Sequence, residues 1–115
     1  LTPWYSYCYL SIADAQMQLG NYDAANEYLQ KVASTINTQT IRVKSAYYHS
    51  IAQFWACKKD YKNALKYSNI CLKISAEIND AMGMNSLLID HANILNSAGR
   101  YKEASQLYSS LMVGY

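Results

Sequence analysis

Apolar residues recur along this chain at helical spacing, three and four apart, and the pattern repeats itself three times. The segments Gly20-Asn21-Tyr22-Asp23-Ala24-Ala25, Lys59-Asp60-Tyr61-Lys62-Asn63-Ala64 and Gly99-Arg100-Tyr101-Lys102-Glu103-Ala104 carry the same Tyr-x-x-Ala block at spacings of 39 and 40. A second column is in phase with the first. Ala13, Ala52 and Ala92 recur at the same spacings, each followed three residues on by Gln16, Trp55 or Leu95. Upstream of each alanine stand Tyr9 and Ile12, Tyr48 and Ile51, and Leu88 with His91. Downstream of each tyrosine the steps of a second amphipathic helix follow: Ala25, Leu29 and Val32; Ala64, Ser68 and Cys71; Ala104, Tyr108 and Leu111.

Each period therefore predicts helix, tight turn, helix, with the small alanines where the paired helices cross. The expected helices run from Pro3 to Leu19, Tyr22 to Ser34, Ile41 to Cys57, Tyr61 to Ile78, Ala81 to Ser97 and Tyr101 to Val113. The turn chemistry agrees. Gly20 and Gly99 stand just past the first helix of their hairpins, where a positive φ commonly ends a helix, and Lys59 fills that place in the middle hairpin. Thr2-Pro3 reads as a helix start, and Asp80 is placed to cap the fifth helix.

The pattern resembles tetratricopeptide repeats over nearly the whole chain. With its long second helix, the segment from Ile74 to Met84 is similar to the 40-residue variant of bacterial sensor kinases, transcription regulators and kinesin light chains. The resemblance implies an all-α solenoid of three helical hairpins in one domain, with repeats at roughly 1–37, 38–79 and 80–115. Two positions depart from it. Ser68 stands where a large side chain is usual, and His91 stands where Ile12 and Ile51 stand.

The resemblance also implies a concave groove lined by the first helix of each hairpin. Its residues would be Tyr7, Leu10, Asp14 and Met17; Ala46, His49, Gln53 and Ala56; Ser86, Ile89, Asn93 and Asn96. Such a groove is polar and nearly neutral, suited to a peptide backbone or a helix. The carboxylate clamp known in the family needs Lys and Asn where this chain has Leu10 and Asp14. The aromatic cluster at Trp4, Tyr5, Tyr7 and Tyr9 reads either as a contact surface or as packing for the end of the array.

Composition narrows the function without naming it. The 115 residues suit one domain, and a single proline and four glycines leave no internal linker. A net charge of +2 gives no footprint for nucleic acid, and Lys58, Lys59, Lys62 and Lys66 surround Asp60 as a solvated helix end would. No apolar run is long enough to cross a membrane. The chain opens Leu-Thr-Pro without Met and reads as a piece of a longer protein; its compartment stays open between cytoplasmic and, if a membrane-bound sensor carries it, periplasmic.

Cys8, Cys57 and Cys71 form no CxxC pair and read as small core residues, with Cys57 near the groove as a candidate thiol. His49 and His91 lack the neighbours of a metal site, and no nucleophile-base set or phosphate loop is recognisable, so neither cofactor nor catalysis is expected. The leading reading is a non-catalytic module of a larger, bacterial regulatory protein that binds a protein or peptide. The alternatives are a homo-oligomeric scaffold stacking through its terminal helices and, more weakly, an enzyme fragment with a small-molecule site.

Overall fold

A computed structural model of the chain describes residues 3–113. It contains six α-helices: α1 (Pro3–Gln18), α2 (Tyr22–Ala33), α3 (Ile41–Cys57), α4 (Tyr61–Ile78), α5 (Ala81–Ser97) and α6 (Tyr101–Met112), with a 3₁₀ turn at Ile36–Thr38 before α3. Each helix packs on the next in the chain, and α1 also packs on α3, so the architecture is three hairpins laid side by side. The helices match the expected ones, and three of them end one residue sooner. Thr2 lies outside the described residues.

The alanine columns are where the hairpins close. Ala13, Ala25, Ala52, Ala64, Ala92 and Ala104 are all buried to within 1%. Around them lie two core clusters. The first joins Leu10, Met17, Leu29, Val32, Val43, Tyr47, Ile51 and Phe54, and the second joins Leu65, Ile94 and Leu95. Trp55 and Tyr67 pack against both, which makes the core continuous along the stack. Tyr22 meets Phe54 edge-on, and its hydroxyl donates to the Cys57 carbonyl at 3.2 Å, tying the first hairpin to the end of α3.

Gly20 and Gly99 have φ of 81° and 83°, as the turn chemistry requires. Lys59 takes the same left-handed conformation at φ 64°. A side chain in that region is disfavoured by its Cβ, so Lys59→Gly is expected to raise stability by about 0.5 to 1 kcal/mol, net of glycine's larger unfolded-state entropy. Urea titration of the two chains measures this; a loss of stability would show that Lys59 is held by contacts outweighing its strain.

Caps define the other starts. Thr40 accepts from the Val43 amide and Asp60 from the Asn63 amide, each at 3.3 Å, and Asp80 accepts from the Gly83 amide at 3.1 Å. A Cβ on Gly83 would stand 2.6 Å from Asp80 Oδ2, so glycine at this place lets the cap sit close. Among the described residues, no helix is long and apolar enough to cross a membrane.

Candidate functional site

The second helix of the middle hairpin is the longest in the chain, 18 residues in α4 against 12 in α2. It ends at Asn79 in the left-handed conformation, and Asp80 starts α5 at once. This length opens a cleft of about 330 Å³ between α3, the end of α4 and the start of α5. Ala46, Ile78, Met84 and Leu87 supply apolar walls, while Arg42, Asp80 and Tyr7 also line it. Among its lining residues, Ser45 and Ser75 share a hydrogen bond of 2.6 Å, and the buried Cys71 thiol donates to the Ser45 carbonyl at 3.3 Å. These small polar residues satisfy one another, as buried polar groups must.

One end of the cleft is closed by His49 and Asp90. His49 Nε2 donates to Asp90 Oδ2 at 2.9 Å, a direct link between α3 and α5. Beside it, Asp14 on α1 is held above the usual carboxylate range by partial burial, against the lowering effects of His49 and the Ser50 hydroxyl. Past this point Gln53, Asp90 and Asn93 line a smaller hollow that reaches Tyr61 and Ser97. Asn93 also accepts from the Tyr108 hydroxyl. A strip of hydrogen-bonding groups thus crosses all three first helices next to an apolar-walled cleft.

No family model and no curated protein matches the sequence. Among solved structures, the chain superposes on part of a Signal Transduction ATPase with Numerous Domains protein with a tetratricopeptide repeat sensor from Pyrococcus horikoshii, with a TM-score of 0.85 and 23% identity. The match covers 97% of this chain and 18% of that one. The chain has the tetratricopeptide-repeat fold.

Within a tetratricopeptide array the same helix position can face the groove in one repeat and the next hairpin in another, and burial separates the two cases. Leu10 and Met17 are only 4% and 3% exposed and sit in the first core cluster, so they offer nothing to a partner. Their counterparts His49 and Ala56 are half-buried, and Ile89 and Asn96 are exposed. The series follows what is stacked beyond each helix: Leu10 and Met17 lie in the core shared with the second hairpin, whereas His49 borders the cleft and bonds to Asp90. Of the other groove candidates, Tyr7, Asp14, Ser86 and Asn93 are exposed, and Ala46 and Gln53 are half-buried. Trp4 and Tyr5 lie exposed on α1.

The periodicity did not single out Asp90, Arg42 or Leu87. Asp90 occupies the repeat position held by Ser11 and Ser50, and only its hydrogen bond to His49 reveals its place in the strip. Cys57 is half-buried against Asp14, Met17 and Gln53, and burial together with the Asp14 charge pushes its thiol pKa up, which disfavours the reactive thiolate. Cys8 departs from the expected core role, because α1 turns it outward. Among the described residues, no group of three or more His, Cys, Asp or Glu side chains is arranged to hold a metal ion.

Proposed function

We propose that this tetratricopeptide domain is a non-catalytic sensor or protein-interaction module of a larger regulatory protein, and that it binds an extended peptide or a helix on its concave face. The observation that carries the reading is the strip Asp14, His49, Gln53, Asp90 and Asn93, which spans α1, α3 and α5 beside a cleft of about 330 Å³. Spaced side-chain amides and carboxylates suit the donors and acceptors of a peptide backbone. The cleft walls of Ala46, Ile78, Met84 and Leu87 suit one apolar side chain of the same ligand. The tetratricopeptide repeat sensor of the solved neighbour agrees with such a role, although this chain spans only 18% of that protein.

Selection of a displayed random-peptide library on the immobilised chain tests the proposal. The selected peptides should lose at least about tenfold in affinity, or about 1.4 kcal/mol, on a His49→Ala, Gln53→Ala, Asn93→Ala triple variant. Its melting transition should stay close to the parent's, because all three side chains lie outside the two core clusters. Peptides that bind the triple variant at full affinity, yet fail on Trp4→Ala or Tyr5→Ala, would move the contact to the terminal helix and overturn the groove reading.

A further inference from the structure

The cleft between α3 and α5 is lined by two charges that the fold does not use. At one end His49 and Asp90 bond to each other, and among the other lining residues Ser45 and Ser75 do the same. Arg42 and Asp80 also line the cleft, and no ion pair joins these two described residues. Among the described residues, the Arg42 guanidinium has no hydrogen-bond partner. Asp80 caps α5 through Oδ1 alone, which accepts from the Gly83 amide. Its second oxygen is left uncovered by the glycine, since a Cβ there would stand 2.6 Å from Oδ2.

Internal repetition shows that neither charge is required by the architecture. Arg42 stands where the neighbouring repeats have Pro3 and Met82. Asp80 stands where the preceding repeat has Thr40, which caps its own helix from a neutral hydroxyl. The nearby Lys44 and Glu77 line a different cleft, beside Ile41 and Ile74, and do not line this one. The His49–Asp90 bond fixes the register of α3 on α5 and brings Arg42 level with Gly83, within one turn of Asp80. From Arg42 to His49 the cleft follows two turns of α3, about 10 Å. Along that length its walls are Ala46, Ile78, Met84 and Leu87, and its volume of about 330 Å³ suits a small ligand.

We infer that this cleft binds a free amino acid with an apolar side chain. Its carboxylate pairs with Arg42, its ammonium donates to Asp80 Oδ2, and its side chain runs between Ala46 and Leu87 toward His49. Unlike charges that line one cleft without bridging each other are complementary to a zwitterion. A ligand with a single charge gains from one of them and is repelled by the other. Guanidinium meets carboxylate through two parallel N–H donors, and ammonium brings three donors to an oxygen that has none. An internal peptide residue has neither charge, so this inference goes beyond the groove reading and does not rest on it.

Amide NMR spectra of the 115-residue chain, titrated with leucine at neutral pH, test this. Saturable shifts are expected at Ala46, Gly83 and Met84, and glycine should produce none. Isocaproate, which lacks the ammonium, and isoamylamine, which lacks the carboxylate, should each bind at least about tenfold more weakly than leucine, the scale of one contact to a charged group. Arg42→Gln and Asp80→Asn should each weaken leucine by a similar factor. Asparagine caps a helix as aspartate does, so the second variant stays folded, which circular dichroism melts verify. Asp80→Asn should not weaken isocaproate, which has no ammonium to lose. The absence of saturable shifts up to about 10 mM, tenfold beyond the usual weak limit of substrate affinities, overturns the inference. Equal binding of leucine and either analogue overturns it too, as does parental affinity for leucine in either variant. An Asp80→Asn loss that extends to isocaproate marks a structural effect and overturns the assigned contact. Peptides selected on the chain decide the groove reading separately, whichever way leucine behaves.

Discussion

Ala64→Leu is expected to lower the stability of the chain by about 1 to 3 kcal/mol, and Ala25→Leu by a similar amount. Ala64 and Ala25 are completely buried, as are Ala13 and Ala52, their partners in the first-helix column, to within 1%. A methyl group at these places lets two helix backbones approach closely. Three further carbons have nowhere to go except into the crossing, so the helices must separate or neighbouring side chains must leave their preferred rotamers. Thermal or urea melts of the two variants decide the matter. Values within about 0.5 kcal/mol of the parent, the range of neutral surface changes, would show that the alanine columns are not packing columns.

Ser68→Ala is expected to cost about 1 to 3 kcal/mol, the penalty for stranding a desolvated polar group. Ser68 is buried on α4, and its hydroxyl lies 2.8 Å from His91 Nδ1 on α5. With that nitrogen unprotonated, the hydroxyl donates to it. Burial, helped by Arg100 and opposed by Glu103, lowers the His91 pKa below its usual 6.5. The unfolded chain then binds the proton more readily than the folded one. The contribution of His91 to stability is therefore complete above pH 6.5 and is lost as pH falls toward the lowered folded value. A His91→Ile chain should lack this acid-side decline. The Ser68→Leu, His91→Ile double variant, which copies the Leu29 and Ile51 pair of the first junction, should be markedly less destabilised than the sum of the single changes. Strict additivity in melts across pH 5 to 8, a window set around the ordinary histidine pKa, would show that the two residues do not act as a pair.

This pair also marks where sequence and structure part. The two positions that break the repeat, Ser68 and His91, look like independent departures along the chain, yet they are one substitution in space. No spacing rule connects residues 23 apart on different helices, and only the packing of α4 on α5 brings them together. Element boundaries were legible for the opposite reason. Gly20, Gly99, Asp80 and the tyrosine blocks act within a few residues of themselves, so local chemistry sets them.

The groove was half legible. Repeat offsets put Asp14, His49, Gln53 and Asn93 on the first helices, α1, α3 and α5, but they treat every repeat alike. Leu10 and Met17 are buried because a hairpin lies beyond them, and Ile89 and Asn96 are exposed because, among the described residues, none does. Exposure depends on neighbours that a periodic pattern does not count. Thr40 and Asp60 as caps were within reach of the sequence, since each stands three residues before the amide it accepts from.

In α2 the residues Ala25, Leu29 and Val32 are all buried, whereas α6 buries Ala104 alone. In a linear array each hairpin is held by its own contacts and by those with its neighbours, so the α5–α6 hairpin opens at a smaller free-energy cost than the first. A ligand that bridges Gln53 on α3 and Asn93 on α5 finds its binding surface only while that hairpin is closed. Its apparent affinity is reduced by the fraction of time the hairpin is open, and its binding in turn holds the hairpin shut. On the proposed groove reading, occupancy is thereby coupled to order of the α5–α6 hairpin.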